Sequence, residues 1–187
     1  MRKLGIVLVV LACMSLLFSA PAMAMNWSIG GNLGYEMLMP TEKDADNVNV
    51  FGWPMAGLRV GFVGEQPMHE VYLLSAVSVE SASGASFSTY GITGNYQYNF
   101  TSKGPVTPYV TAGAGIQGFN LSNDESVGAM SLMFGGGAGV SKKLGAQGTL
   151  RAEVRFDRNM EGKDGDAVVI GEANHISLRL GFDLWGK

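Results

Sequence analysis

Apolar and polar residues alternate with a period of two along most of this sequence. Successive side chains of a β-strand point to opposite faces, so this alternation predicts strands with one apolar and one polar face. Within residues 70–80 the alternation is blurred by Tyr72 and Leu74. The pattern predicts eight strands, at residues 27–39, 54–63, 70–80, 88–100, 108–121, 129–141, 149–158 and 175–185.

The lengths of these strands and of their connections predict a barrel. Each strand is near the length of about 9–11 residues that crosses a bilayer when tilted. Short connections containing Gly or Pro alternate with longer acidic ones at 40–53 and 159–174. The sequence therefore predicts an all-β fold, an eight-stranded antiparallel up-and-down transmembrane β-barrel. We expect loops 40–53 and 159–174 to face outside, and Lys103, Lys142 and Lys143 to lie in periplasmic turns.

Residues 1–24 have the features of a secretory signal peptide. Arg2 and Lys3 precede an uncharged apolar run, and Ala22-Met23-Ala24 fits the small-x-small cleavage rule. Cleavage after Ala24 leaves the predicted barrel domain, residues 25–187. It also removes Cys13, the one cysteine of the sequence, so no disulfide or cysteine-based metal site is expected. Lipidation at Cys13 is an alternative, although the apolar run continues beyond it.

Composition excludes some classes of protein. A hydrophobic content of 47% with 16% charged residues is the reverse of the balance in disordered chains. A formal net charge of −3 argues against nucleic acid as a partner.

The small size of many residues on the polar face indicates that this face lines a narrow interior. A barrel of about eight strands has room only for side chains inside. Large aromatic residues on the apolar face cluster toward strand ends, as in the aromatic girdles of membrane barrels. The predicted girdle consists of Trp27, Phe62, Tyr98, Phe100 and Phe182. The reverse arrangement, with the apolar face inside, would make a soluble periplasmic lipocalin-like binding barrel.

Charged residues of the polar face then form a lumen network. If Asp157 pairs with His175 across the last two strands, Glu153 faces Arg179 and Thr149 faces Asp183. Such pairs of opposite charge are favoured across strands. The predicted network contains Glu36, Arg59, Arg151, Glu153, Arg155, Asp157, His175, Arg179 and Asp183. We interpret it as a plug of paired charges, with an ion path as the alternative.

Two segments resemble known motifs of one family. Residues 107–115, TPYVTAGAG, and residues 134–140, FGGGAGV, resemble the fifth and sixth strands of the eight-stranded outer-membrane β-barrel family, which includes the outer membrane protein A/X-like and opacity-type domains. The resemblance implies a cell outer-membrane location, contact with outer-membrane lipid and lipopolysaccharide, and insertion by the outer-membrane assembly machinery. The sequence differs from the family at the C-terminus. Members of the family usually end on an outward-facing aromatic residue, whereas here Leu184 is at the outward-facing position and Trp185 is not.

The leading functional hypothesis is a non-enzymatic envelope barrel contributing to envelope structure, adhesion or surface interaction, with no cofactor and an unknown external ligand. A lipid A-modifying outer-membrane enzyme is the alternative, because His175-x-Ser177 faintly resembles a deacylase motif and Asp157 or Glu36 could orient the histidine. The fuller motif is absent, so no catalytic residue is assigned. Residues 161–166 match a calcium loop only partly, so no metal site is assigned either.

Overall fold

The computed structural model describes residues 26–42, 46–52, 57–63, 68–82, 85–101, 103–122 and 127–186. The predicted signal peptide, residues 1–24, lies outside the described residues. Over those ranges there is no helix long and apolar enough to cross a membrane. The strands are β1 (Asn26–Pro40), β2 (Val48–Gly52), β3 (Leu58–Val63), β4 (His69–Ala82), β5 (Ala85–Asn99), β6 (Val106–Ser122), β7 (Val127–Leu144), β8 (Gly148–Asn159), β9 (Gly162–Asp164), β10 (Ala167–Ile170) and β11 (Ala173–Gly186).

The strands close into an antiparallel barrel. The neighbour order is β11-β8-β7-β6-β5-β4-β3-β1, and β11 also pairs with β1. Strands β2 and β3 both pair with β1 and together form one barrel strand. The predicted eight-stranded up-and-down barrel is therefore confirmed. We call the end with the two termini the inner end, and the end with the connections after β1, β4, β6 and β8 the outer end.

The second barrel strand differs from its predicted range of 54–63. Leu58 pairs with Gly31 and Gly52 pairs with Gly34, so the pairing with β1 is interrupted between β2 and β3. Gly57, directly before β3, has a φ of 51°, a left-handed conformation that favours glycine. The other part of this barrel strand is β2, which precedes the interruption in the chain and lies inside the segment predicted as the loop 40–53.

The connection at 159–174 is also more ordered than predicted. It contains the hairpin β9–β10, which turns at Gly165 with a φ of 61°. The hairpin packs against the outer part of β7, where the backbone N–H of Gly128 donates to Asp164 Oδ2 at 3.2 Å. Weak alternation in a three-residue and a four-residue strand explains why the sequence pattern does not reveal the hairpin.

The two faces of the sheet are sharply different. Outward side chains are apolar and exposed, for example Val154 at 56% and Leu180 at 54%. Inward side chains are mostly polar and buried, for example Arg155 at 2%. Tyr72 and Leu74, which blurred the alternation, point inward, so β4 gives the interior an aromatic and an apolar side chain.

Candidate functional site: the polar barrel interior

The register of β8 and β11 is the one predicted from their charges. His175 is opposite Asp157, Arg179 is opposite Glu153, and Asp183 is opposite Thr149. All of the charged residues of the predicted lumen network are buried, with exposures of 9% or less. Hydrogen bonds group eight of them into an inner, a middle and a rim cluster, and Glu153 belongs to none of the three.

The inner cluster contains two separate ion pairs. Arg59 contacts Glu70 in a buried salt bridge, and its guanidinium lies 3.7 Å from the centre of the Tyr72 ring. Arg151 Nη2 donates to Asp183 Oδ1 at 2.9 Å and to Asn32 at 3.1 Å. Arg59 was predicted to belong to the lumen network, and its partner there is Glu70 on the adjacent strand, which the predicted network did not include.

The middle cluster is built around Asp157. Arg155 Nε lies 2.7 and 2.8 Å from the two carboxylate oxygens of Asp157. Arg179 Nη2 reaches the same carboxylate at 3.3 Å, and Arg179 Nε donates to Ser177 Oγ at 3.0 Å. Arg179 therefore bonds diagonally to Asp157, although its directly opposite residue is Glu153.

The rim cluster holds the histidine. His175 contacts Glu36 through Nδ1 and Asn159 through Nε2. Both ring nitrogens thus face oxygens other than that of Ser177, whose hydroxyl accepts from Arg179. The arrangement that a serine hydrolase needs, with the histidine bonded to the serine, does not occur at these two residues.

Several buried polar atoms have no hydrogen-bond partner among the described residues. They include Arg59 Nε and Nη1, the Tyr109 hydroxyl and Glu153 Oε2. Buried polar atoms in folded proteins are generally satisfied by protein or by ordered water. The inner half of the lumen therefore has positions that suit bound water.

Glycines make room for the large interior side chains. Each of five bulky or charged residues stands directly opposite a glycine of the neighbouring strand. At Gly139, for instance, an added Cβ would lie 2.6 Å from the Tyr109 ring. The pairs are Asn95–Gly113, Tyr109–Gly139, Asp157–Gly135, Asp183–Gly30 and Arg151–Gly181.

The predicted girdle residues lie on the apolar outward face of the barrel, near the end that carries the two termini. Trp27 is paired with Phe62, and the rings of Tyr98 and Phe100 meet edge to face at 5.1 Å. Phe182 is 42% exposed. Trp185, out of phase with them, donates through Nε1 to the lumen residue Thr149 at 2.8 Å and so helps to close the inner end.

The described residues contain no group of three or more His, Cys, Asp or Glu side chains placed to hold a metal ion. Among residues 161–166, Lys163 pairs with Glu161 at 2.7 Å and Asp164 accepts from Gly128. Two of the three carboxylates of the partial calcium motif, those of Glu161 and Asp164, are thus bonded within the protein itself.

Comparison with known proteins shows the fold. No protein-family model and no curated protein sequence matches the chain. The crystal structure of Neisserial surface protein A is similar, with a TM-score of 0.62, 15% identity, and coverage of 84% of this chain and 96% of that one. The crystal structure of Ail, the attachment invasion locus protein of Yersinia pestis, in complex with the heparin analogue sucrose octasulfate has a TM-score of 0.50, 16% identity, and coverage of 87% and 99%. The chain therefore has the fold of eight-stranded outer-membrane barrels, as the sequence resemblance implied.

Proposed function

We propose that the protein is exported by residues 1–24 and serves as a non-enzymatic, integral outer-membrane protein with structural and surface-interaction roles. One observation carries this proposal: the interior is lined by buried ion pairs while the outer surface is apolar. Hydrocarbon accepts such a surface where the backbone groups are satisfied internally, and closure of the barrel through the β1–β11 pairing satisfies them along the paired lengths of the strands. A soluble lipocalin-like barrel would need the faces reversed.

The interior supports a plug better than an ion path. Arg59, Arg151 and Trp185 all make buried or partly buried bonds to neighbouring strands within the inner half of the lumen. A barrel of about eight strands has room for its own side chains or one small ligand, but not for an aqueous channel. We infer that the charged residues of the predicted lumen network stabilise the barrel and do not form an ion path.

Carboxylates outnumber cations among the described residues of the outer end. The carboxylates are those of Glu42, Asp46, Glu161, Asp164, Asp166 and Glu172, and the cations are Arg158 and Lys163. Ail is known in complex with a polyanionic heparin analogue, but an acidic surface repels polyanions. We infer that this protein interacts with basic surfaces, or with lipopolysaccharide through bridging divalent cations.

Site-specific labelling tests the membrane topology. Once the signal peptide is removed, the remaining sequence has no cysteine, so Lys163→Cys and Lys143→Cys each introduce a single thiol. We expect a membrane-impermeant maleimide to label the first variant on intact cells and the second only after permeabilisation. The cysteine-free parent is the control. Equal labelling of both variants on intact cells would refute the topology.

Electrophoresis and conductance test barrel and plug together. The protein should be in the outer-membrane fraction, and its gel mobility should change on boiling. Arg179→Ala should lower the temperature of that change without raising single-channel conductance. A soluble periplasmic protein, or a higher conductance for the variant, would overturn the respective part of the proposal.

A further inference from the structure

The outer half of the lumen contains a cavity that the ion-pair network leaves unfilled. Its volume is about 100 Å³. One part of its lining is charged and another is apolar. The residues used below are Leu74, Ala76, Met133, Arg155, Asp157 and Arg179. Glu36 and His175 also line the cavity, and they contact each other.

Arg179 is the group best placed to bind an anion there. It is 9% exposed, the most exposed of the buried polar and charged side chains of the interior. Its hydrogen bond to Asp157 is 3.3 Å long. That is longer than the roughly 2.7–2.9 Å typical of a strong charge-assisted hydrogen bond. The Asp157 oxygens already accept from Arg155 at 2.7 and 2.8 Å. A second carboxylate can therefore bind Arg179 without breaking the Arg155–Asp157 pair.

Another part of the lining suits an alkyl chain. Leu74 and Ala76 on β4 and Met133 on β7 face the lumen at this height. A cavity of roughly 150 Å³ holds a benzene ring. The smaller cavity here therefore takes a carboxylate and its first carbons. Because the inner half is closed by ion pairs and Trp185, the rest of the chain extends toward the outer end.

We propose that this cavity binds short-chain alkyl carboxylates, with Arg179 holding the carboxylate and Leu74, Ala76 and Met133 contacting the chain. The ligand enters from the outer end. This site is additional to the structural and surface role, which depends on the closed inner half and the acidic outer end.

Methionine-methyl NMR with hexanoate tests the proposal. The full barrel, with ¹³C-labelled methionine methyl groups, is placed in lipid nanodiscs and titrated. Met133 lines the cavity, whereas Met130 lies on the outer surface at 44% exposure. We expect a saturable shift of Met133 and none of Met130. Equal shifts of both would mean partitioning into the lipid, and no shift of Met133 would mean no binding; either result overturns the proposal.

The uncharged analogue and three variants test the role of the charge. 1-Hexanol has the same chain and should bind at least tenfold more weakly than hexanoate. Arg179→Gln should weaken hexanoate binding at least tenfold, while Arg158→Gln, which changes an outward-facing arginine, should not. Ala76→Leu narrows the cavity without removing a charge and should also abolish the Met133 shift. Unchanged affinity in folded Arg179→Gln, or in Ala76→Leu, would refute the site.

Discussion

Gly135 stands directly opposite Asp157, and the Asp157 carboxylate fills the space that a side chain at Gly135 would need. The central acceptor of the middle cluster thus depends on a glycine of the neighbouring strand. The same relationship holds between Tyr109 and Gly139. Interior glycines are therefore complementary in shape to the polar network.

Gly135→Ala should destabilise the barrel. The added methyl group has to displace the carboxylate or the strand, and overpacking typically costs about 1–3 kcal/mol. Gly91→Ala is the matched control, because Gly91 also faces the lumen and its added Cβ would meet nothing closer than 3.8 Å. Unfolding in urea, followed by the gel-mobility change, measures both. Similar losses for the two variants would contradict the complementarity.

Asp183→Asn should be strongly destabilising. The change leaves the buried Arg151 guanidinium without its counter-charge, and breaking a buried pair costs about 3–5 kcal/mol. Glu172→Gln breaks the half-exposed pair with Arg158, for which about 0–1 kcal/mol is expected. Free energies of unfolding in one lipid system give the comparison. If Asp183→Asn costs no more than Glu172→Gln, the inner cluster does not stabilise the barrel.

The sequence was sufficient to predict the faces and the register of the last two strands. Strict alternation in β8 and β11 fixes which residues point inward, and opposite charges then favour one alignment. Side-chain partners were less predictable. Arg179 is long enough to reach either Glu153 or Asp157, so the choice depends on how several strands tilt around the lumen.

Local conformations also lay beyond the sequence pattern. Tyr72 and Leu74 interrupt the alternation only because β4 lines the lumen with larger, less polar groups than its neighbours do. The interruption between β2 and β3 in the pairing with β1 gives no periodic signal in the sequence. The pairing of bulky polar residues with glycines, by contrast, was available once a register had been assigned.

Tyr109→Phe should leave stability unchanged or raise it slightly. The Tyr109 hydroxyl is buried and has no hydrogen-bond partner among the described residues. Removing an unsatisfied buried group relieves a penalty of about 1–3 kcal/mol, unless bound water already satisfies it. Tyr109→Ala is the contrast, since loss of the ring leaves a cavity. A clear loss of stability in Tyr109→Phe, measured by urea unfolding, would show that the hydroxyl has a partner.

Val154→Arg should separate a membrane-facing surface from a soluble one. Val154 lies in the middle of the apolar outer face of β8 and is 56% exposed. An arginine at the bilayer midplane of a barrel costs about 2–4 kcal/mol, falling to about 0–1 kcal/mol near the interface. Leu144→Arg is the matched variant, because Leu144 ends β7 beside the inner turn. Unfolding from lipid vesicles should therefore show a much larger loss for Val154→Arg. Equal, small losses would mean that this apolar face does not contact hydrocarbon.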